Sequence, residues 1–454
     1  MNFKTIVESR QTEIIEKLQE LLRIPSVLDE SSIEVGAPFG KPIQKALHYM
    51  LDLAKQDGFE TFNDEGYAGV IRYGGTTSGK TVGILCHLDV VPEGKGWKYP
   101  PYEARIVDGK IYARGAGDDK GPTMACYYAL KLIQEAKIPL KNQIQLILGT
   151  DEETGWRGIA HYLEHYEAPS IGFAPDADFP LIYGEKGRMS FDLTSTFLED
   201  DIVESIHGGE RYNVVLDEVQ AVLKKDVKEA FYQYLDQYQL KGSVDGNVYT
   251  IHGIAAHAME PFKGVNAGCH MCHFLKDYSK QPMVQFVANY LFQDPFLKQM
   301  QLDYHDDEMG PITVNVGIMH IAKESTRVTL DLRFPVRYDV EKFYTVLHEI
   351  VASAKVTITN QTYKEPHYVS PDDELVTLLY QAYQNHTQDT VHRPFTIGGG
   401  TYAGVLKKGV AFGMLFPGEE ELAHQKDEYV SIESLLKSIL IYIDAILLLG
   451  EVDA

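Results

Sequence analysis

A chain of 454 residues exceeds what one hydrophobic core organises, so two or three domains are expected. Apolar residues make up 44% and charged residues 24%, which excludes a disordered chain. The formal charge of −23 carries no Lys/Arg cluster, so phosphate binding is disfavoured and nucleic acid is excluded as a partner.

In chain order, residues 1–23 read as an amphipathic helix with no secretory core or cleavage site. Residues 81–86 and 143–148 are continuous apolar or β-prone runs, the pattern of strands buried on both faces. Between them, residues 122–135 read as a helix with Pro122 in its first turn, where a missing N–H costs nothing. Strand, helix, strand at this spacing predicts an α/β layer architecture. The middle differs, with helices expected over 217–235 and 268–280 and β-rich runs over 312–321 and 325–335. It reads as an α+β insertion over 188–365, flanked by one catalytic domain formed from 1–187 and 366–454. Helices over 372–386 and 431–448 flank the apolar segment 409–416. The most apolar stretch, 435–449, is interrupted by Lys437 and Asp444, too short and charged to span a bilayer. Four cysteines are too few for a disulfide framework at this length, and a reducing cytoplasm is the expected compartment.

Five short segments carry chemistry. His87 and Asp89 end the first strand two residues apart, so on an extended backbone both point to one side. A metal-ligating imidazole with an orienting carboxylate needs that placement, although a plain polar strand end gives the same pattern. Asp118 and Asp119 sit in the glycine-flanked RGAGDDKGP, just ahead of a helix, where an N-cap is the ordinary role of an aspartate. Asp151, Glu152 and Glu153 follow the second strand, and three consecutive acids repel one another unless solvent or a cation compensates. Asp176 and Asp178 form the fourth segment; His424, Asp427 and Glu428 form the fifth. Two histidines and several carboxylates at strand ends match where open α/β sheets put their sites. Mixed imidazole and carboxylate ligation suits Zn²⁺, Mn²⁺ or Co²⁺ and needs no thiolate.

The order HLDVVP, RGAGDDKGP, GTDEETG, PDA and HxxDE resembles the co-catalytic metallopeptidases that include aminoacylases, carnosinases and succinyl-diaminopimelate desuccinylase. Within them the chain most resembles the PepV-type dipeptidases, through LLRIPSV near the start, PEGKGWKYPPYEA, and IGGGTYA near the end. The resemblance implies a zinc-peptidase-like catalytic domain, a mixed sheet between helices, with an inserted α+β lid. It implies two divalent cations, zinc first and manganese or cobalt as alternatives. Asp118 would bridge them, His87 and Asp176 would complete one site, and Glu153 and His424 the other. Glu152 would be the general base and Asp89 would orient His87. The same resemblance implies a cis peptide between Asp118 and Asp119, so that one carboxylate serves both ions.

In the insertion, His257 matches a lid histidine that stabilises the oxyanion. Asn213 and Arg333 match substrate-holding positions, the arginine offering a planar fork to a C-terminal carboxylate. Gly399, Gly400 and Thr401 match a glycine loop whose amides approach that carboxylate. A core histidine, a strand arginine in an ion pair and a turn glycine are the structural alternatives. The chain departs from the pattern at Leu216, where proline is usual, at Gly404, often arginine, and at Asp427 in place of asparagine. None of these removes a ligand, and the first two touch substrate preference.

The activity this implies is hydrolysis of unblocked dipeptides, with N-acyl amino acids as the rival substrate class and a non-catalytic binding protein as the rival class of function. Two further patterns are set aside. His161 and His165 form HxxEH on an amphipathic helix, and Cys269 to His273 form CxxCH, which requires export to carry haem. The insertion spans 178 residues, enough for two subdomains of the size through which relatives dimerise. A monomer with His257 supplied in cis, and a lid that closes during turnover, is expected.

Overall fold

The computed structural model describes residues 2–77, 79–199 and 201–452, and within it the chain divides into two compact units. Met1, the first residue of the expected amphipathic segment, lies outside the described residues. One unit runs to Tyr183 and resumes over Val369–Phe395 and from Gly400; the other comprises Gly184–Tyr368 and Thr396–Gly399. The glycine loop is split, with Gly399 in the second unit and Gly400 and Thr401 in the first.

The first unit is built on a mixed sheet. Strands Gln143–Gly149, Thr81–His87, Ile171–Ala174 and Gly409–Ala411 lie side by side in that order and are parallel. Ala68–Gly74 and Glu60–Asp64 extend one side of this core antiparallel, and Ile182–Glu185 begins the other. Residues 82–87 and 144–149 are all buried, as the unbroken apolar runs require of strands covered on both faces. The helix Lys41–Gln56 packs on Glu60–Asp64 and Ala68–Gly74. Its Leu47 and Leu51 fill the space a side chain at Gly69 would need. The helix Lys120–Glu135, buried from Lys120 to Ile133, packs on Thr81–His87 and against the C-terminal helix Ile432–Leu449. Ser431 caps that last helix by accepting from the Ser434 N–H.

Three expectations fail in detail. The N-terminal segment is two helices, Phe3–Ser9 and Gln11–Leu22, because Arg10 leaves helical geometry at ψ 8°. The helix expected over 217–235 is a strand, Glu218–Leu223, followed by a helix, Lys228–Tyr238. Val219, Ala221 and Leu223 bury on one face at a period of two, a strand signal that the charged run 224–229 disguises. The helix expected over 268–280 stops at Leu275, and a second one, Pro282–Tyr290, starts on the proline.

The second unit is one antiparallel sheet of eight strands. Its order is Lys241–Asp245, Val248–His252, Glu218–Leu223, Val203–Gly208, Thr313–Ala322, Thr326–Phe334, Gly187–Ser195, Val356–Lys364. Alternate residues such as Met189, Phe191 and Leu193 enter a core shared with the helices Lys228–Tyr238, Ala267–Leu275, Pro282–Tyr290 and Val340–Ser353. No helix among the described residues is long and apolar enough to cross a membrane.

Candidate active site

The carboxyl ends of three neighbouring parallel strands deliver the first unit's polar cluster. His87 closes Thr81–His87, Glu152 and Glu153 follow Gln143–Gly149, and Asp176 follows Ile171–Ala174. Asp118 arrives from the loop ahead of Lys120–Glu135, and His424 from a C-terminal loop where its backbone is left-handed at φ 63°. A non-glycine residue there costs about 1–3 kcal/mol and persists where the surroundings enforce it.

One carboxylate joins the two imidazoles. Asp118 Oδ1 lies 2.9 Å from His87 Nε2, and Asp118 Oδ2 lies 3.0 Å from His424 Nε2. Asp176 Oδ2 approaches His87 Nε2 at 3.5 Å, and Glu153 Oε2 approaches His424 Nε2 at 2.9 Å. Glu152 lies on the His87 side: His87, Glu152 and Asp176 each offer a ligand atom within 4.8 Å of the others. The Asp118–Asp119 peptide is cis.

The surroundings fix each group. The Nδ1–H of His87 donates to the Asp89 carbonyl oxygen at 2.9 Å, which leaves the Nε2 lone pair facing the cluster. The Asp89 carboxylate is farther from that ring, at 3.6 Å, and takes a different task. Its Oδ1 accepts from the Glu152 N–H at 3.1 Å and its Oδ2 from the Glu153 N–H at 3.0 Å. Asp89 thus orients His87 through its backbone and holds the Glu152–Glu153 turn through its side chain. Asp151 anchors the far end of that turn, accepting from Arg157 N at 2.9 Å and Arg157 Nε at 2.8 Å.

Buried atoms of the cluster are left over. His87 Nε2, Asp118 Oδ1 and Glu153 Oε1 are buried and lack hydrogen-bond partners, although His87 Nε2 and Asp118 Oδ1 are only 2.9 Å apart. The charge balance of the cluster adds to this. Burial pushes the carboxyls of Glu153 up to about 7 and of Asp176 up to about 6, and raises Glu152 well above the ordinary range. Asp118 resists burial and stays below the carboxylate range because His424 and His87 face it. Hydrogen bonds to Asp118 and Glu153 lift His424 to about 11. Burial opposes charge on His87, yet Asp118, Asp176 and Asp89 raise it well above 6.5. So many acids in a buried cluster demand positive charge, and imidazole with carboxylate donors is what a borderline divalent cation takes. The residues therefore fit metal ions.

The second unit holds Asn213, His257, Arg333 and Gly399, and the first holds Gly400 and Thr401. His257 pairs its backbone with Val214, and Ala258 N–H donates to the Asn213 carbonyl at 2.9 Å. His257 Nδ1 accepts from Met259 N–H at 3.1 Å, so the proton of the neutral ring sits on Nε2. Arg333, 5% exposed, already spends Nε on Asp331 at 2.6 Å and Nη2 on it at 3.3 Å. Its Nη1 donates to the Gly398 carbonyl at 3.0 Å. Gly398 is pressed against Met259, whose Cβ would lie 2.7 Å from any added Cβ. In the first unit, the Thr401 hydroxyl accepts from the Ala403 N–H at 3.1 Å and caps a short 3-10 turn.

The two set-aside patterns are structural. His161 pairs Nδ1 with Asp64 at 2.9 Å and stacks on Tyr67. Cys269 and Cys272 are buried free thiols inside the helix Ala267–Leu275, and His270 and His273 both turn to the Tyr234 hydroxyl. Sequence reasoning gave no such contact to four residues of the site: Asp119, which accepts from the His87 N–H at 2.9 Å; Glu428 and Arg114; and Tyr402, packed on Gly149 and edge-on to His87.

Known proteins repeat this chain. A protein of Staphylococcus epidermidis named "Putative dipeptidase" is 40% identical over 465 residues, covering 98% of each chain. One of Staphylococcus haemolyticus with the same designation is 39% identical, again over 98% of both. The fold is that of human carnosine dipeptidase 1, at TM-score 0.59 and 14% identity over 98% of each chain. It is also that of the di-peptidase Dug1p of Saccharomyces cerevisiae, at TM-score 0.60 and 13% identity over 99% of this chain and 98% of that one. The profile of peptidase family M20/M25/M40 matches residues 83–448, a span that takes in every residue of the polar cluster, and the chain belongs to that family.

Proposed function

We propose that this chain is a dipeptidase that holds two divalent cations and hydrolyses the peptide bond of unblocked dipeptides. The observation that supports this reading most directly is the Asp118 carboxylate, with one oxygen 2.9 Å from His87 and the other 3.0 Å from His424. His87 and Asp176 would hold one cation, Glu153 and His424 the other, and Asp118 both. Zinc suits the donors best, with manganese and cobalt as alternatives. When bound, such a pair acidifies a water and polarises the scissile carbonyl.

Glu152 does the proton work in this reading. Asp89 accepts from its backbone N–H, and burial raises its carboxyl, which favours its taking a proton and returning it to the leaving nitrogen. From the lid, His257 is proposed as the oxyanion donor, with Asn213, Arg333, Gly399, Gly400 and Thr401 as contacts for the substrate's backbone and carboxylate. Two N–H groups of the Arg333 fork already serve Asp331, so its part in that binding is a single remaining edge. The four buried free thiols suit a reducing cytoplasm, and a monomer is also proposed, from the length of the insertion.

A substrate panel tests the reading. The cation-loaded protein is expected to cleave unblocked dipeptides at least about a hundredfold faster than N-acetyl or N-succinyl amino acids, judged by kcat/KM. The reverse order would make it an N-acyl amino acid amidohydrolase, and no turnover of either class would leave only binding.

A further inference from the structure

Glu428 is 1% exposed, and its acceptors point into the loop that carries Asp118. Its Oε1 accepts from the Gly117 N–H at 2.8 Å and the Asp118 N–H at 3.2 Å. Its Oε2 takes Arg114 Nη1 at 2.6 Å, and that guanidinium is itself 2% exposed and lies over the Trp97 ring. The backbone adds two ties: the Ala113 N–H donates to the Glu428 carbonyl at 3.1 Å, and Tyr429–Ser431 pairs with Lys110–Tyr112. Four residues earlier on the same segment stands His424, against the other end of the Asp118 carboxylate. One short segment thus carries a histidine of the cluster and grips the backbone of the residue between the two histidines.

We propose that Glu428 is a positioning residue for Asp118: by fixing the Gly117 and Asp118 amides it sets both carboxylate oxygens at once, so the two cation sites form together. This rests on the two-cation reading. A simpler role, neutralising buried Arg114, makes a different demand. Neutralisation needs the negative charge of Glu428, whereas bracing needs an acceptor at Oε1.

Three variants separate these roles. Arg114→Met with Glu428→Gln removes the buried charges but keeps an amide oxygen for the two N–H groups. Arg114→Met with Glu428→Leu removes that acceptor. Glu428→Asp keeps the charge for Arg114 but shortens the reach, and it serves as the test if the leucine variant fails to fold. Mn²⁺ is titrated calorimetrically into the metal-stripped full chain, with folding checked by thermal unfolding. The glutamine variant is expected to bind both ions within about threefold of the parent protein. The leucine and aspartate variants are expected to lose about ten- to hundredfold in affinity for both ions, since supports of a ligand carry that much. Equal binding by all variants would overturn the brace alone, as would a glutamine variant as weak as the leucine one. A parent protein that takes up no Mn²⁺ would overturn the two-cation reading, and the brace with it.

Discussion

His87 and His424 share one aspartate, and that pairing sets the chemistry the cluster can perform. If Glu152 only moves a proton, Glu152→Gln should leave cation content near that of the parent while kcat falls by about 10²–10⁴. Atomic absorption and steady-state kinetics check both halves. His424→Ala should instead lower the content of one cation. Proton linkage gives a second residue-scale prediction. Hydrogen bonds to Asp118 and Glu153 lift His424 to about 11, so in the cation-free protein it is protonated at pH 7. Cation binding must displace that proton, and calorimetry in buffers of different ionisation enthalpy should report release of about one proton or more per chain. The sign for stability follows. With a folded value above the unfolded 6.5, His424 stabilises the cation-free protein fully below pH 6.5, and that contribution is lost as pH rises toward about 11. A cation-free protein that gains stability over that rise would contradict the assignment. His87, Asp118, Glu152, Glu153, Asp176 and His424 stand out in sequence because each sits in a short motif at a strand or helix end. Asp119, Glu428 and Arg114 stand in the same motifs, but their contacts are not readable there, since these run to backbone amides or across 314 residues of chain, where no spacing rule reaches.

At the scale of elements, the parallel strands place the cluster, and their close packing can be tested away from the ligands. Gly149 ends its strand against Tyr402, whose ring would lie 2.4 Å from an added Cβ. Gly149→Ala should therefore destabilise the protein by about 1–3 kcal/mol through overpacking, seen as a lowered Tm. An unchanged Tm would show that Tyr402 moves aside freely. The buried strands Thr81–His87 and Gln143–Gly149 and the helix between them were readable because their apolar runs are unbroken. The strand Glu218–Leu223 was misread as helix. Six residues of alternating burial beside a charged run give too short a period to outweigh the helical pattern that follows.

For the whole molecule, the length of the insertion carries the remaining expectation. The second unit holds an eight-stranded sheet within one chain, and the proposed monomer takes His257 from that same chain. Mixing His257→Ala with Glu152→Gln should restore no activity, and light scattering should give the mass of one chain. Recovery on mixing would mean that a second copy supplies the histidine. The expected division rests on the change of pattern after Gly187, whereas the passage of Thr396–Gly399 into the second unit was not legible, because a four-residue crossing leaves no compositional mark. The central claim is the two-cation cluster, and anomalous scattering from zinc-soaked crystals tests it most directly. Two peaks are predicted, one against His87 and Asp176 and one against Glu153 and His424, with Asp118 touching both. A single peak, or zinc at His161 and His165 instead, would contradict it.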